Sequence, residues 1–193
     1  MIEDHVGCGR TLGVHFKPGG AATLLPDPIY EFDNRHVALE EVLGGEARRL
    51  RDLLDPMLSE HALLTVIQDF LIDRVSTDLH PVVRGALAMM EGDCDVPPLV
   101  GAIVEQSGYS HRRFNELFRK SVGLGAKSFS RVMRFQRALR TIENSGEIDW
   151  ADTALACGFY DQAHMIHEFN QHGGMTPMQY IARRGERFNH PRA

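Results

Sequence analysis

The stretch at 108–123, GYSHRRFNELFRKSVG, decides the fold of the back half of this 193-residue chain, because its outline returns fifty residues later. The second copy, at 158–174, reads GFYDQAHMIHEFNQHGG. Each copy starts with glycine, continues through Ser110 or Asp161, and carries large apolar residues four and eight positions after that polar residue. An internal repeat of this kind predicts two equivalent supersecondary units.

Each copy has the pattern of a helix-turn-helix unit. Its glycine permits the left-handed conformation that ends the preceding helix. Ser110 and Asp161 are good N-caps for the helix that follows. In DNA-binding versions, this second helix enters the major groove with an apolar inner face and a polar outer face. We expect the two recognition helices at about 111–121 and 162–172.

The outer faces of these helices carry residue types that read bases. Arginine pairs with guanine, asparagine or glutamine with adenine, and glutamate with the cytosine amino group. Histidine can bond a base or a phosphate. The predicted DNA-binding residues are Arg112, Arg113, Asn115, Glu116, Arg119, Gln162, His164 and His167. The alternative for Asn115 and Glu116 is an ordinary surface role.

A helix at roughly 127–144 connects the two copies. Its eighteen residues span ~27 Å at ~1.5 Å each, against ~34 Å for one DNA turn. This length suits recognition helices in adjacent major-groove segments, and the small mismatch favours bent DNA. The helix carries arginines at i, i+3 spacing, namely Arg131, Arg134, Arg137 and Arg140. The alternatives for these arginines are phosphate contacts, a solvated helix face or, for Arg134, a contact that holds the two units together.

Residues 96–183 resemble the DNA-binding domain of the AraC/XylS family of bacterial transcription regulators. The resemblance is carried by Gly108-Tyr109-Ser110 with Phe114 and Phe118, Arg134 with Ala138, Ala154 with Gly158-Phe159, and GMTPMQY at 174–180. It implies a seven-helix domain with two helix-turn-helix units joined by a linker helix, and sequence-specific promoter binding. By position, it implies base reading by Arg112, Asn115, Glu116, Gln162, His164 and His167.

The chain departs from the family pattern in both units. Gly125-Ala126 replaces the usual Ser/Thr-Pro before the linker helix, which predicts a weak N-cap there. From Asp161 through Ala182 there is no lysine or arginine, where the family commonly has several. Affinity for DNA grows with the number of phosphates neutralised. It should therefore rest on the first unit, the linker helix and the basic C-terminal end.

Charge divides the chain in two. The formal net charge is −5, but residues 1–95 carry −9 and residues 96–193 carry +4. The overall acidity therefore does not argue against nucleic acid, because the electrostatic footprint belongs to one domain. No apolar run approaches the ~20 residues of a membrane span. Since no secretory signal is visible, we expect a cytoplasmic protein without a membrane partner.

The front half predicts a small α+β region in a chain that is otherwise mainly α. Thr11–Lys17 alternates apolar and polar residues, which predicts a strand. Helices follow from Val37, and one of them has an apolar stripe at Leu63, Ile67, Phe70 and Leu71 that indicates core packing or a dimer face.

The segment GVHFKPGGA at 13–21 more faintly resembles the end of a β-barrel-like effector or sensor domain that precedes this module in some family members. Most of such a domain would lie before Met1, so we expect an incomplete sensor. The expected boundaries are a partial sensor region at 1–92, the DNA-binding domain at 96–185 and a tail at 186–193.

The leading functional hypothesis is a transcription regulator that binds double-stranded promoter or operator DNA. RNA polymerase, a small-molecule effector, the oligomeric state and activation versus repression stay open. One alternative is an interaction or dimerisation module with weakened DNA binding, which the scarcity of basic residues in the second unit favours. A remote alternative is a DNA-repair methyltransferase-like fusion, but the three unclustered cysteines lack its zinc site.

The sequence predicts no catalytic residue, cofactor or metal site. His164 and His167 stand at i, i+3 with Glu168 adjacent, but two ligands on one helix do not complete a metal site. Cys157 is expected as a small core residue at the helix-turn-helix contact and not as a reactive thiol.

Overall fold

The computed structural model describes residues 11–25, 28–75, 79–92, 97–144 and 148–188, with the backbone alone from 185 to 188. Regular structure within these ranges is helical. Two 3-10 turns, Ala21–Thr23 and Ile29–Phe32, come first. The α-helices are α1 (Leu39–Leu43), α2 (Gly45–Leu53), α3 (Glu60–Ile72), α4 (Pro81–Glu91), α5 (Val100–Ser107), α6 (His111–Val122), α7 (Ala126–Asn144), α8 (Trp150–Ala156), α9 (Gln162–Gly173) and α10 (Pro177–Phe188).

The predicted strand at Thr11–Lys17 is wrong. These residues have no regular secondary structure, and no strand occurs in any of the described ranges. An alternating segment becomes a strand only when a neighbour supplies backbone hydrogen bonds, and no described segment does so. The small α+β region and its β-barrel-like sensor are therefore not supported, and the described front part of the chain is helical.

The chain forms two compact units. The N-terminal unit contains the described residues up to His80 together with Lys120–Gly123. The C-terminal unit contains Pro81–Arg119 and the described residues from Leu124 onward. Seven helices, α4 to α10, contribute to it, and α4 packs against α5 and α7 although it precedes residue 96. The domain boundaries expected from the sequence remain predictions.

Helix α3 confirms the helical pattern expected in the N-terminal unit. The Ser59 hydroxyl accepts a hydrogen bond from the Ala62 N–H at 3.2 Å, as a serine N-cap does. Leu63 and Phe70 are buried, and Ile67 and Leu71 are half-buried on the same stripe. The apolar stripe therefore serves packing within this unit.

The first helix-turn-helix consists of α5 and α6. Gly108 adopts a φ of 71° between the helices, a left-handed conformation that suits glycine. Phe114 and Phe118 are fully buried, and the Phe118 ring packs 5.5 Å from the ring of Phe129 on α7. The apolar positions of the repeat therefore anchor α6 on the connecting helix.

The second helix-turn-helix consists of α8 and α9 and has the same plan. Gly158 takes a φ of 83°, and the Asp161 carboxylate accepts the His164 N–H at 2.7 Å. Met165 and Phe169 are buried in one cluster with Ala154. Cys157 belongs to the same cluster and is fully buried. Burial raises the pKa of the Cys157 thiol. The expectation that Cys157 is a core residue is confirmed.

Candidate nucleic-acid interface

The outward face of α6 is polar and basic. Arg112, Arg113, Asn115, Glu116 and Arg119 are exposed, as expected from the sequence. Phe114 and Phe118, which alternate with them along the helix, are buried. The helical period thus separates an anchoring face from a face that can meet a ligand.

Two residues of this face contact each other. The Arg113 guanidinium lies 3.1 Å from the Glu116 carboxylate, and both side chains are more than half exposed. An exposed pair of this kind is worth about 0.5 kcal/mol or less. A phosphate or a base edge can therefore displace the contact between Arg113 and Glu116 at little cost. The side chain of Arg112 makes no polar contact with any described residue.

Asn115 is exposed but already engaged. Its Oδ1 accepts the backbone N–H of Ala126, the first residue of α7, at 3.1 Å. The weak N-cap expected at Gly125-Ala126 is therefore supplemented from α6. No sequence rule for N-caps finds this contact, because the donor and acceptor are eleven residues apart.

The outward face of α9 is polar but carries no lysine or arginine. Gln162 and His167 are exposed on it, as the sequence predicts. Ala163 and Asn170 are exposed beside them. This face can accept and donate hydrogen bonds, but it has little charge to attract phosphate.

His164 is turned away from this exposed face. Its Nδ1 accepts the Tyr160 N–H at 3.1 Å, and its Nε2 lies 3.3 Å from Glu168 Oε1. Its ring also meets the Phe159 ring edge-on, with centroids 5.6 Å apart. These contacts use both ring nitrogens, so His164 is tied to the protein in this structure.

Glu168 is the functional group that sequence reasoning missed. Its side chain is 5% exposed, and its carboxylate accepts hydrogen bonds from Arg131 at 2.7 Å and from Arg134 at 3.0 and 3.1 Å. Arg131 also donates to Gln171. We call Glu168, Arg131, Arg134, His164 and Gln171 the Glu168 cluster. It joins α9 to the connecting helix α7.

The electrostatics of the Glu168 cluster favour the ionised carboxylate. Burial alone raises the pKa of Glu168, but the hydrogen bonds and charges of Arg131 and Arg134 outweigh burial and leave the pKa below its ordinary value. A signal was present in the sequence: Glu168 lies on the stripe of Met165 and Phe169, where a charged residue needs a partner.

The arginines of α7 do not form one solvated face. Arg131 and Arg134 are committed to Glu168, and Arg137 donates to the Gly92 carbonyl at 3.3 Å. Arg140 is exposed. Three of the four arginines thus serve intramolecular contacts, and the helix offers less positive charge to DNA than its composition indicates.

The described residues provide neither a metal site nor a membrane span. In the part of the chain that the structure describes, no three His, Cys, Asp or Glu side chains are grouped to hold a metal ion. His164 contacts Glu168, whereas His167 lies on the exposed face. No described helix is both long and apolar enough to cross a membrane.

Comparison with known proteins agrees with this arrangement. Residues 103–183 match a sequence model described as a helix-turn-helix domain. They cover both glycine turns and the helices α6, α7 and α9. This segment is similar to the DNA-binding domain of AraC/XylS family regulators. The resemblance stated from the motifs is confirmed.

One curated relative of this segment is the HTH-type transcriptional activator RhaR of Enterobacter sp. (strain 638). The two are 30% identical over 76 residues, which is 39% of this chain and 27% of that protein. The chain thus matches about a quarter of the length of this relative.

Two solved structures are also similar. One is a transcriptional regulator from Chromobacterium violaceum, described by its AraC-type DNA-binding domain (TM-score 0.49, 24% identity, 56% of this chain and 96% of that chain). The other is the DNA-binding domain of AdpA, a global transcriptional factor, in complex with a target DNA (TM-score 0.47, 24% identity, 60% and 100%).

Proposed function

We propose that this chain is a transcription regulator that binds a specific double-stranded DNA site through α6 and α9. One observation carries the proposal: two capped helices expose polar faces and are both anchored on the single helix α7. The family of residues 103–183 and the printed function of the relative RhaR support it. The proposal assigns no enzymatic step to the chain.

The connecting helix supports simultaneous binding by both units. Helix α7 has 19 residues, which at ~1.5 Å per residue is about 28 Å. Consecutive major-groove segments on one face of DNA are ~34 Å apart. The two recognition helices therefore suit adjacent groove segments, with a modest bend of the DNA toward the protein.

Helices α6 and α9 differ in charge, so we assign them different contributions to DNA binding. Arg112, Arg113 and Arg119 expose guanidinium groups on α6, whereas the exposed residues of α9 include no lysine or arginine. Arginine contributes both phosphate neutralisation and guanine reading. We therefore assign most of the affinity to α6 and assign selective hydrogen bonding by Gln162 and His167 to α9.

Two further partners belong to the proposal, namely RNA polymerase and a small-molecule effector. The N-terminal unit has an open groove of about 590 Å³ where an effector would have room. Arg74 on its wall already pairs with Glu46 and stacks on the Phe70 ring, with its guanidinium carbon 3.8 Å from the ring centroid. Transcription by purified RNA polymerase with and without this chain would test the first partner. DNA-binding titrations with and without a small-molecule cell extract would test the second.

Footprinting on genomic DNA fragments across a salt series tests the main proposal. We expect a protected stretch of about two helical turns, with affinity falling steeply as salt increases. The alanine variant of Arg48 is the matched charge control, because Arg48 is an exposed arginine of the N-terminal unit. Absence of protection above that of competitor DNA would refute the proposal and favour the interaction-module alternative.

A further inference from the structure

The start of α7 is capped by a side chain from the recognition helix. The first N–H groups of an α-helix have no partner within the helix and need an outside acceptor. Ser59 and Asp161 supply that acceptor locally for α3 and α9. Before α7 the corresponding residue is Gly125, which has no side chain, and Asn115 supplies the oxygen instead.

The local packing is fitted to this arrangement. A Cβ atom added at Gly125 would lie 3.0 Å from Asn115 Oδ1, closer than nine in ten real Cβ contacts, so the amide would have to shift. The absence of a side chain at 125 therefore leaves space for the amide of Asn115. Asn115 supplies the capping oxygen and Gly125 leaves the space for it, so the cap depends on both residues.

We propose that Asn115 is a positioning residue that fixes the start of α7 against α6, and that it does not read a base. A bidentate contact with adenine needs both the oxygen and the nitrogen of the amide. In Asn115 the oxygen already accepts the Ala126 N–H. Turning the amide toward DNA would leave the Ala126 N–H without this acceptor.

The consequence extends to the second recognition helix. Helix α7 is held by α6 at its start through Asn115 and by α9 further along through the Glu168 cluster. The direction in which α7 leaves α6 therefore sets where α9 lies. This step rests on the proposed DNA-binding function, whereas the cap itself does not.

A double-mutant cycle tests the cap. We expect N115A to lower the melting temperature by about 3 °C, as loss of one N-cap does, and to speed hydrogen exchange at the first amides of α7. G125S alone should not raise the melting temperature, because the Cβ of the introduced serine would lie too close to Asn115 Oδ1. The double variant N115A/G125S should regain the melting temperature and the exchange protection, because the introduced hydroxyl then caps α7 without a clash.

Base selection distinguishes a positioning residue from a base-reading residue. Only loss of a base-reading residue would change the preferred base. We expect the double variant to select the same base at every position of a randomised site as the unchanged chain, with affinity restored to within about twofold. Gln136→Ala, at an exposed position within α7, is the control for a mutation that leaves the cap intact.

Three results would be decisive. A double variant no more stable than N115A overturns the cap. A double variant that regains stability but prefers a different base at one position shows that Asn115 reads that base and overturns the positioning role. If the unchanged chain selects no sequence at all, the proposed function fails, and the stability cycle still decides whether Asn115 caps α7.

Discussion

The two helix-turn-helix units share a sequence pattern but are fastened to α7 by different chemistry. In the first, aromatic packing of Phe118 on Phe129 is joined by one hydrogen bond from the exposed Asn115. In the second, the buried Glu168 draws in two arginines from α7. The second unit thus engages two arginines of α7 in internal contacts and has no lysine or arginine on α9 itself, whereas the first keeps the arginines of α6 exposed.

The two turns also differ in their surroundings. Gly108 and Gly158 are both left-handed, but an added Cβ at Gly108 meets nothing within 4 Å, whereas at Gly158 it would lie 2.4 Å from Pro97 Cγ. Equivalent positions in a repeat therefore need not tolerate equivalent changes. Matched substitutions separate the two units, and the largest effect is expected at these turns.

Gly158→Ala should be the most damaging single methyl addition. The left-handed conformation costs about 1 kcal/mol, and overlap with Pro97 adds about 2 kcal/mol. Gly108→Ala, the matched control, should cost only the first amount. Urea unfolding of both variants measures the difference, and equal losses would show that the turns are equivalent after all.

Glu168→Gln should lower the free energy of unfolding by about 2 kcal/mol at neutral pH, because buried charge-assisted hydrogen bonds are lost. The folded-state pKa of Glu168 is lowered, so its stabilisation is complete above the ordinary glutamate pKa and is lost as pH falls through the lowered value.

A pH series of unfolding experiments checks the Glu168 prediction. The difference between the unchanged chain and Glu168→Gln should shrink as the pH is lowered from about 7 to about 3. Glu116→Gln, in the exposed pair of the first unit, is the control and should show no such trend. A pH-independent gap at Glu168 would contradict the ionised cluster.

Arg112→Ala should weaken DNA binding about tenfold, and His167→Ala about twofold, because the arginine contributes a full charge and a guanine contact. The slope of log affinity against log salt should fall by about one for Arg112→Ala and stay unchanged for His167→Ala. Gel-shift titrations at several salt concentrations measure both, and equal losses would refute the unequal division of affinity.

Glu116→Gln should have the smallest effect on stability, below about 0.5 kcal/mol, because its pair with Arg113 is exposed. If Glu116 reads a base, the variant should nevertheless change the preferred base at one position of a selected site. Sequencing DNA selected by each protein tests this, and an unchanged preference would identify Glu116 as an ordinary surface residue.

Local patterns correctly predicted helix ends, caps and buried positions. The glycine turns, the caps at Ser59 and Asp161 and the burial of Phe114 depend on residues within one helical turn of each other. The strand at Thr11–Lys17 failed because an alternating pattern states only that one side of a segment is apolar. A strand also requires a partner elsewhere in the chain, and the segment itself does not reveal whether one exists.

The sequence by itself therefore determined the two helix-turn-helix units, the helix that connects them and, except for His164, which of the predicted residues face outward. Only the tertiary structure decided which outward residues are already engaged. Asn115 meets Ala126 across a turn, and Glu168 meets Arg134 thirty-four positions away. Such contacts depend on how the helices cross, and helical periodicity constrains a face of each helix without specifying what lies opposite to it.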